Sequence, residues 1–192
     1  GDTWTNQSLG YWNRQGGRSP DEPMVISYYG DEADPRPLLL TGGESGIKPD
    51  GVNSSGSPDH RLVDNLAIVG LHMKPHTYDG TPTDSWGLLP AGIRWSGGTE
   101  WALVEDCKIE GYSIGIRTQE AYGKPIRNLS IRRNVIVDSW ASNANAIDAF
   151  AQGMHIIGGR GVLIEENVLD HNGWKSLTET LTSPTMYNHN LY

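Results

Sequence analysis

Apolar residues in this chain fall in short runs of strand length, and almost nowhere do they recur at the 3.6-residue spacing of an amphipathic helix. Such runs are Met24-Val25-Ile26, Leu38-Leu39-Leu40, Leu66 to Val69, Ala102-Leu103-Val104, Leu129 to Val137 and Val162 to Leu169. Each is bounded by Gly, Asn, Asp or Pro, the residues that end strands. The runs also repeat. Leu103-Val-Glu-Asp-Cys-Lys-Ile109, Ser130-Ile-Arg-Arg-Asn-Val-Ile136 and Leu163-Ile-Glu-Glu-Asn-Val-Leu169 align without gaps, and Ala67 to Met73 is a fainter copy. Ile68, Val104, Ile131 and Ile164 hold one slot, at separations of 36, 27 and 33 residues. Unequal periods of this size suit the coils of a solenoid whose loops differ in length.

A second ladder follows in each period: Gly92-Ile93-Arg94, Gly115-Ile116-Arg117, Gly153-Met154-His155 and, as fourth member, Asn190-Leu191-Tyr192. The charges test the register. Stacking ~4.8 Å apart puts Glu105, Arg132 and Glu165 in one column and Asp106, Arg133 and Glu166 in the next, with alternating sign in both, as cross-strand pairing favours. Cys107, Asn134 and Asn167 share a slot, where Asn is expected to adopt left-handed backbone or to bond its neighbour at a turn.

Composition narrows the class. The 192 residues include 24 Gly and 11 Pro, which argues against a helical bundle. One domain is expected over 1–192, with an irregular segment 1–22 and coils over 23–192. Net charge is −8, so a global basic footprint for nucleic acid is missing. No apolar run approaches the ~20 residues of a membrane span. The lone Cys107 excludes an intrachain disulfide.

The segments Val162-Leu-Ile-Glu-Glu-Asn-Val-Leu-Asp170, Leu129-Ser-Ile-Arg-Arg-Asn-Val-Ile-Val137 and Asn65-Leu-Ala-Ile-Val-Gly-Leu71 resemble the pectate-lyase-like superfamily of right-handed parallel β-helices. So do Pro23 to Gly30 and Arg36 to Leu40. The resemblance covers roughly residues 23 to 192. It implies an all-β solenoid of about five or six coils with long loops, and a groove for linear polysaccharide. It also implies a secreted, extracellular or periplasmic bacterial protein. No capping helix is visible, and the chain stops inside an expected strand. The ends are therefore expected to be covered by the remainder of a longer chain or by end-to-end self-association.

Four sets of residues are candidates for chemistry. Arg94, Arg117 and His155, with Tyr192 next, should point outward in one column, where Arg would grip a uronate carboxylate. Loop acids such as Glu120 or Asp148 would neutralise them if the column is only structural. His155, His171 and His189 are suited to proton transfer near neutral pH, or else they satisfy loop backbone. Glu110, Asp138 and Asp170 come together in the aligned register as oxygen ligands for calcium, or are solvated surface acids. By the resemblance, calcium is an optional cofactor that acidifies the uronate, and Arg117 is the base to test first. Seven Trp against one Phe suggest sugar-stacking platforms at Trp86, Trp95, Trp140 and Trp174, or plugs between loop and coil.

Three functions compete at this stage. The first is a glycan-binding module using Arg94, Arg117 and the Trp platforms. The second is an enzyme, a polysaccharide lyase or glycoside hydrolase with Arg117, His155, His171 and His189 in catalysis. The third is a structural β-helix that assembles end to end. Polysaccharide is the expected partner in the first two.

Overall fold

The computed structural model describes residues 1–13, 16–31, 33–51, 63–82, 87–121, 123–142 and 150–192. Every regular element among them is a strand. In chain order these are β1 (Thr3–Thr5), β2 (Gly10–Trp12), β3 (Met24–Ile26), β4 (Leu38–Leu40), β5 (Ile47–Pro49), β6 (Leu66–Val69) and β7 (His72–Lys74). Next come β8 (Ala91–Ser96), β9 (Ala102–Glu105), β10 (Lys108–Glu110), β11 (Ile114–Gln119), β12 (Ile126–Arg127) and β13 (Leu129–Arg132). The last are β14 (Val135–Val137), β15 (Gln152–Ile156), β16 (Gly159–Arg160), β17 (Leu163–Glu165), β18 (Val168–Asp170) and β19 (His189–Leu191).

The chain visits three parallel sheets in rotation. A first sheet has the order β1-β4-β7-β10-β14-β18, a second β2-β5-β8-β11-β15-β19, and a third β3-β6-β9-β13-β17, while β12 and β16 make a small separate pair. Each winding lays one short strand on each sheet before the next begins, which is a solenoid-like stack. The stretch expected to be irregular, 1–22, joins this stack: Trp4 pairs with Leu39 and Tyr11 with Lys48. Its strands lack the apolar runs that mark the others, because at the end of the stack they bury little.

Alternate side chains on each strand point into the stack. Leu39, Met73, Ile109 and Ile136 fill it from the first sheet, Ile47, Ile93, Ile116 and Met154 from the second, and Leu66, Ile68, Val104 and Ile131 from the third, all at most 1% exposed. Between the first and second sheets the chain bends so closely on its neighbour that only glycine fits. A β-carbon at Gly46 would lie 2.5 Å from the Gly92 carbonyl oxygen, one at Gly92 2.7 Å from that of Gly115, and one at Gly115 2.5 Å from that of Gly153. This explains why the Gly-Ile-Arg ladder begins with Gly.

Between the third and first sheets the turn is held by asparagine. Asn134 Oδ1 accepts from the Cys107 N–H at 2.9 Å, and Asn167 Oδ1 accepts from the Asn134 N–H at 2.9 Å. Left-handed backbone falls one residue earlier than expected, at Asp106, Arg133 and Glu166 (φ 53°, 56° and 55°). The turn thus uses Asn for its amide, which bridges windings, and leaves the positive φ to charged residues in solvent. The first alternating column forms as read: Arg132 is the register partner of both Glu105 and Glu165, and it pairs with Glu105 at 3.0 Å. In the second, Arg133 pairs with Glu166 at 3.4 Å and also reaches Glu105, while Asp106 is taken by Arg36.

Candidate functional site

The outer face of the second sheet carries one line of polar and aromatic side chains. Arg117 pairs in register with Arg94 on one side and His155 on the other. Met154 pairs with Leu191, which sets Tyr192 beside His155, their rings 5.3 Å apart. In the other direction Ile47 pairs with Ile93, so Lys48 follows Arg94, and Tyr11 pairs with Lys48. The line therefore reads Tyr11, Lys48, Arg94, Arg117, His155, Tyr192, and spans about 24 Å at the inter-strand spacing. Lys48 and Tyr11 were missed in the sequence, although Gly46-Ile47-Lys48 is a further copy of the Gly-Ile-Arg ladder.

Local electrostatics vary along the line. Burial pushes the Tyr11 hydroxyl up to about 12, helped by the Asp50 carboxylate to which it is hydrogen-bonded. His155 is held below the ordinary imidazole value, first by burial and second by the positive charge of Arg117. Arg117 also donates to Gln119 Oε1 at 3.3 Å. Asp148 and Trp86, weighed in the sequence as a neutralising acid and as a platform, lie outside the described residues.

At its His155 end the line opens into a cleft of about 240 Å³ walled by Phe150, Gln152, His155, Tyr187, His189 and Tyr192. Phe150 and Tyr187 meet edge to face at 5.3 Å, and His189 lies 5.6 Å from Tyr192. Phe150 and His155 also line a smaller neighbouring hollow with Leu88, Leu89, Ile114 and Arg117, so the cleft runs on to the cationic part of the line. Phe150, Gln152 and Tyr187 carry no motif in the sequence; only the folding of the 150 and 187 segments over one sheet reveals them.

The remaining sequence candidates fall elsewhere. Trp95 is 1% exposed and points into the core, so it is no platform; it sits one residue after Arg94, and strand alternation turns it inward. Trp140, 9% exposed, packs its ring 5.0 Å from Tyr78, and Lys175 Nζ lies 4.2 Å from its centroid. It plugs a loop against the coil. Trp174 is half-buried and meets His171 edge-on at 5.0 Å.

The calcium set does not assemble. Glu110 is engaged by Lys74 at 2.7 Å, Lys108 at 2.5 Å and His72 at 3.1 Å. Burial alone would raise its pKa, but hydrogen bonds and charge from Lys108 and Lys74 outweigh it and hold the carboxyl at about 2. Val137 separates Glu110 from Asp170 in the stack. Asp138 bonds His171 Nδ1 at 2.7 Å, which puts His171 off the line and beside an acid. Among the described residues no group of three His, Cys, Asp or Glu converges on one point.

Comparison of the chain with protein-family models, with curated proteins and with solved structures finds no match to any of them.

Proposed function

We propose that the chain is a right-handed parallel β-helix of the pectate-lyase-like kind, with five or six coils, that binds a linear acidic polysaccharide outside the cell or in the periplasm. The observation that carries this reading is the line of Lys48, Arg94 and Arg117 on consecutive strands, continued by His155 and Tyr192. Like charges on adjacent strands favour an anion beside them; Glu44 meets Lys48 at 3.7 Å, and a polymer with a carboxylate on each unit extends that pairing along the line. Arg suits the role because its planar fork takes a carboxylate through two parallel hydrogen bonds. The net charge of −8 makes a cationic line of this kind a local exception on an acidic surface.

Electrophoresis in native gels containing pectate, alginate or a neutral glucan tests the reading. The uronate polymers should retard the protein and the neutral one should not. Replacing Arg94 and Arg117 by Gln should restore free mobility. Equal mobility of the unaltered protein in all gels would overturn the proposal.

His155 favours a second reading, that of a lyase. Its neutral imidazole is adjacent to Arg117, whereas Arg117 itself keeps its proton at neutral pH and is better suited to neutralise the uronate carboxylate than to act as base. His155 would take the proton on the carbon next to that carboxylate. The electron pair would form a carbon–carbon double bond as the glycosidic carbon–oxygen bond breaks, and Tyr192 would supply the proton to the leaving oxygen. A rise in ultraviolet absorbance from the unsaturated product, lost in His155→Ala, is the expected signal. Retardation in the gel with a flat absorbance trace rejects the lyase.

A further inference from the structure

Two buried polar atoms of residues that wall the cleft have no partner among the described residues. Gln152 is 3% exposed, and its Nε2 donates to the Tyr187 carbonyl at 3.0 Å, but its Oε1 is buried with no hydrogen-bond partner among the described residues. The same holds for His155 Nδ1. An unmet buried acceptor is costly, so a cavity wall that keeps one is poised to be completed by a donor. Around these atoms stand the rings of Phe150, Tyr187, His189 and Tyr192. Flat apolar faces with buried hydrogen-bonding groups beneath them suit a ligand with C–H faces and hydroxyl edges. Arg117 lies one strand from His155 in the adjoining hollow.

We infer that this cleft is a subsite for a single pyranose ring, the unit at one end of the bound stretch of acidic glycan. Seating the ring turns the Gln152 amide and the His155 imidazole, whose Oε1 and Nδ1 are closed off in the empty cleft, so that Oε1 accepts from one ring hydroxyl and Nδ1 meets another, while the C–H face rests on Tyr187 beside Phe150. The carboxylate of the same or the preceding unit reaches Arg117. The proposal rests on the acidic-glycan reading and adds to it a direction: the cationic half of the line holds charge, and the aromatic end holds one ring and fixes the register of the chain.

Calorimetric titration with uronate oligosaccharides of two to six units, prepared from pectate and alginate, tests the subsite. Tyr187 is 53% exposed, so Tyr187→Ala leaves the fold intact, and circular dichroism of each variant checks this. Phe150→Ala and Tyr187→Ala should each weaken binding of the shortest bound oligomer several-fold, and together by more than tenfold. Gln152→Met, which keeps the volume and removes the acceptor, should weaken it about tenfold. The chemical shifts of His155 should move when oligomer is added. If Arg117→Gln abolishes binding while Phe150→Ala, Tyr187→Ala and Gln152→Met bind like the unaltered protein, the subsite is wrong and the acidic-glycan reading stands. If no uronate oligomer binds but a neutral oligosaccharide shifts the His155 signals and loses that effect in Tyr187→Ala, the ring subsite stands and the acidic reading falls. Absence of both effects overturns both.

Discussion

Arg117 and His155 are register partners on adjacent strands, 38 residues apart in the chain, and both project from the outer face of the second sheet. The imidazole is held below its ordinary pKa by burial and then by the neighbouring guanidinium. Arg117→Gln should therefore raise the pKa of His155, read as the titration of its ring protons by NMR. A His155 pKa that does not move would show that the two groups are not electrostatically coupled.

The same shifts set the direction of the pH dependence of stability. His72, like His155, is lowered chiefly by burial. A base with a depressed folded pKa contributes stability that is present above its unfolded value, about 6.5, and lost as pH falls through the folded value. Glu110, held at about 2, behaves likewise at lower pH: its contribution is present above the ordinary carboxylate value and disappears as pH falls toward about 2. Thermal melts should thus show a first loss of stability below about pH 6.5 and a second below about pH 4. A melting temperature that rises on acidification over this range would contradict the assignment.

The glycine ladder predicts a large penalty for a small change. Gly115→Ala places a methyl 2.5 Å from the Gly153 carbonyl oxygen, and neither backbone can retreat without moving a winding. A loss of about 3 kcal/mol is expected, measured as the shift of the urea midpoint. Gly123→Ala, where nothing lies within 4 Å of the added carbon but φ is +71°, should cost only about 1 kcal/mol.

Asn134 bonds in three directions: it accepts from Cys107 and donates twice, to Val104 O and to Asn167 Oδ1, both at 3.0 Å. Asn134→Ala leaves buried backbone groups unmet and should cost about 2–3 kcal/mol. Asn134→Asp keeps the shape and the acceptor but sets a buried carboxylate oxygen against the two acceptors Val104 O and Asn167 Oδ1, so it should cost at least as much as the alanine change in the same denaturation experiment.

Trp95 and Tyr187 should separate stability from binding. Trp95→Ala empties a buried site and should cost roughly 3–5 kcal/mol, with glycan affinity per folded molecule unchanged. Tyr187→Ala should do the reverse. Affinity for uronate polymer should also fall as salt rises from about 0.1 M to about 1 M, where the screening length shrinks from about 10 to about 3 Å.

What could be read before folding was whatever each strand states locally. The apolar slots, the charge columns and the line Arg94, Arg117, His155, Tyr192 follow from one rule, that equivalent positions stack and side chains alternate. The sequence by itself determined that rule, because burying one side of every strand leaves a pattern in every period. The same rule decides two features against the sequence expectation: Trp95, one residue from Arg94, turns inward and is no platform, and Gly10-Tyr11-Trp12, within the stretch expected to be irregular, forms a strand. The tertiary structure alone decided the rest. Glu110 loses its freedom to bind an ion because Lys74, 36 residues earlier, and His72 come from the winding beneath it. Asp138 and His171 meet across 33 residues. Phe150 and Tyr187 wall a cleft because loops of unrelated sequence fold over the same sheet, and loop paths are set by long-range packing that leaves no period to read.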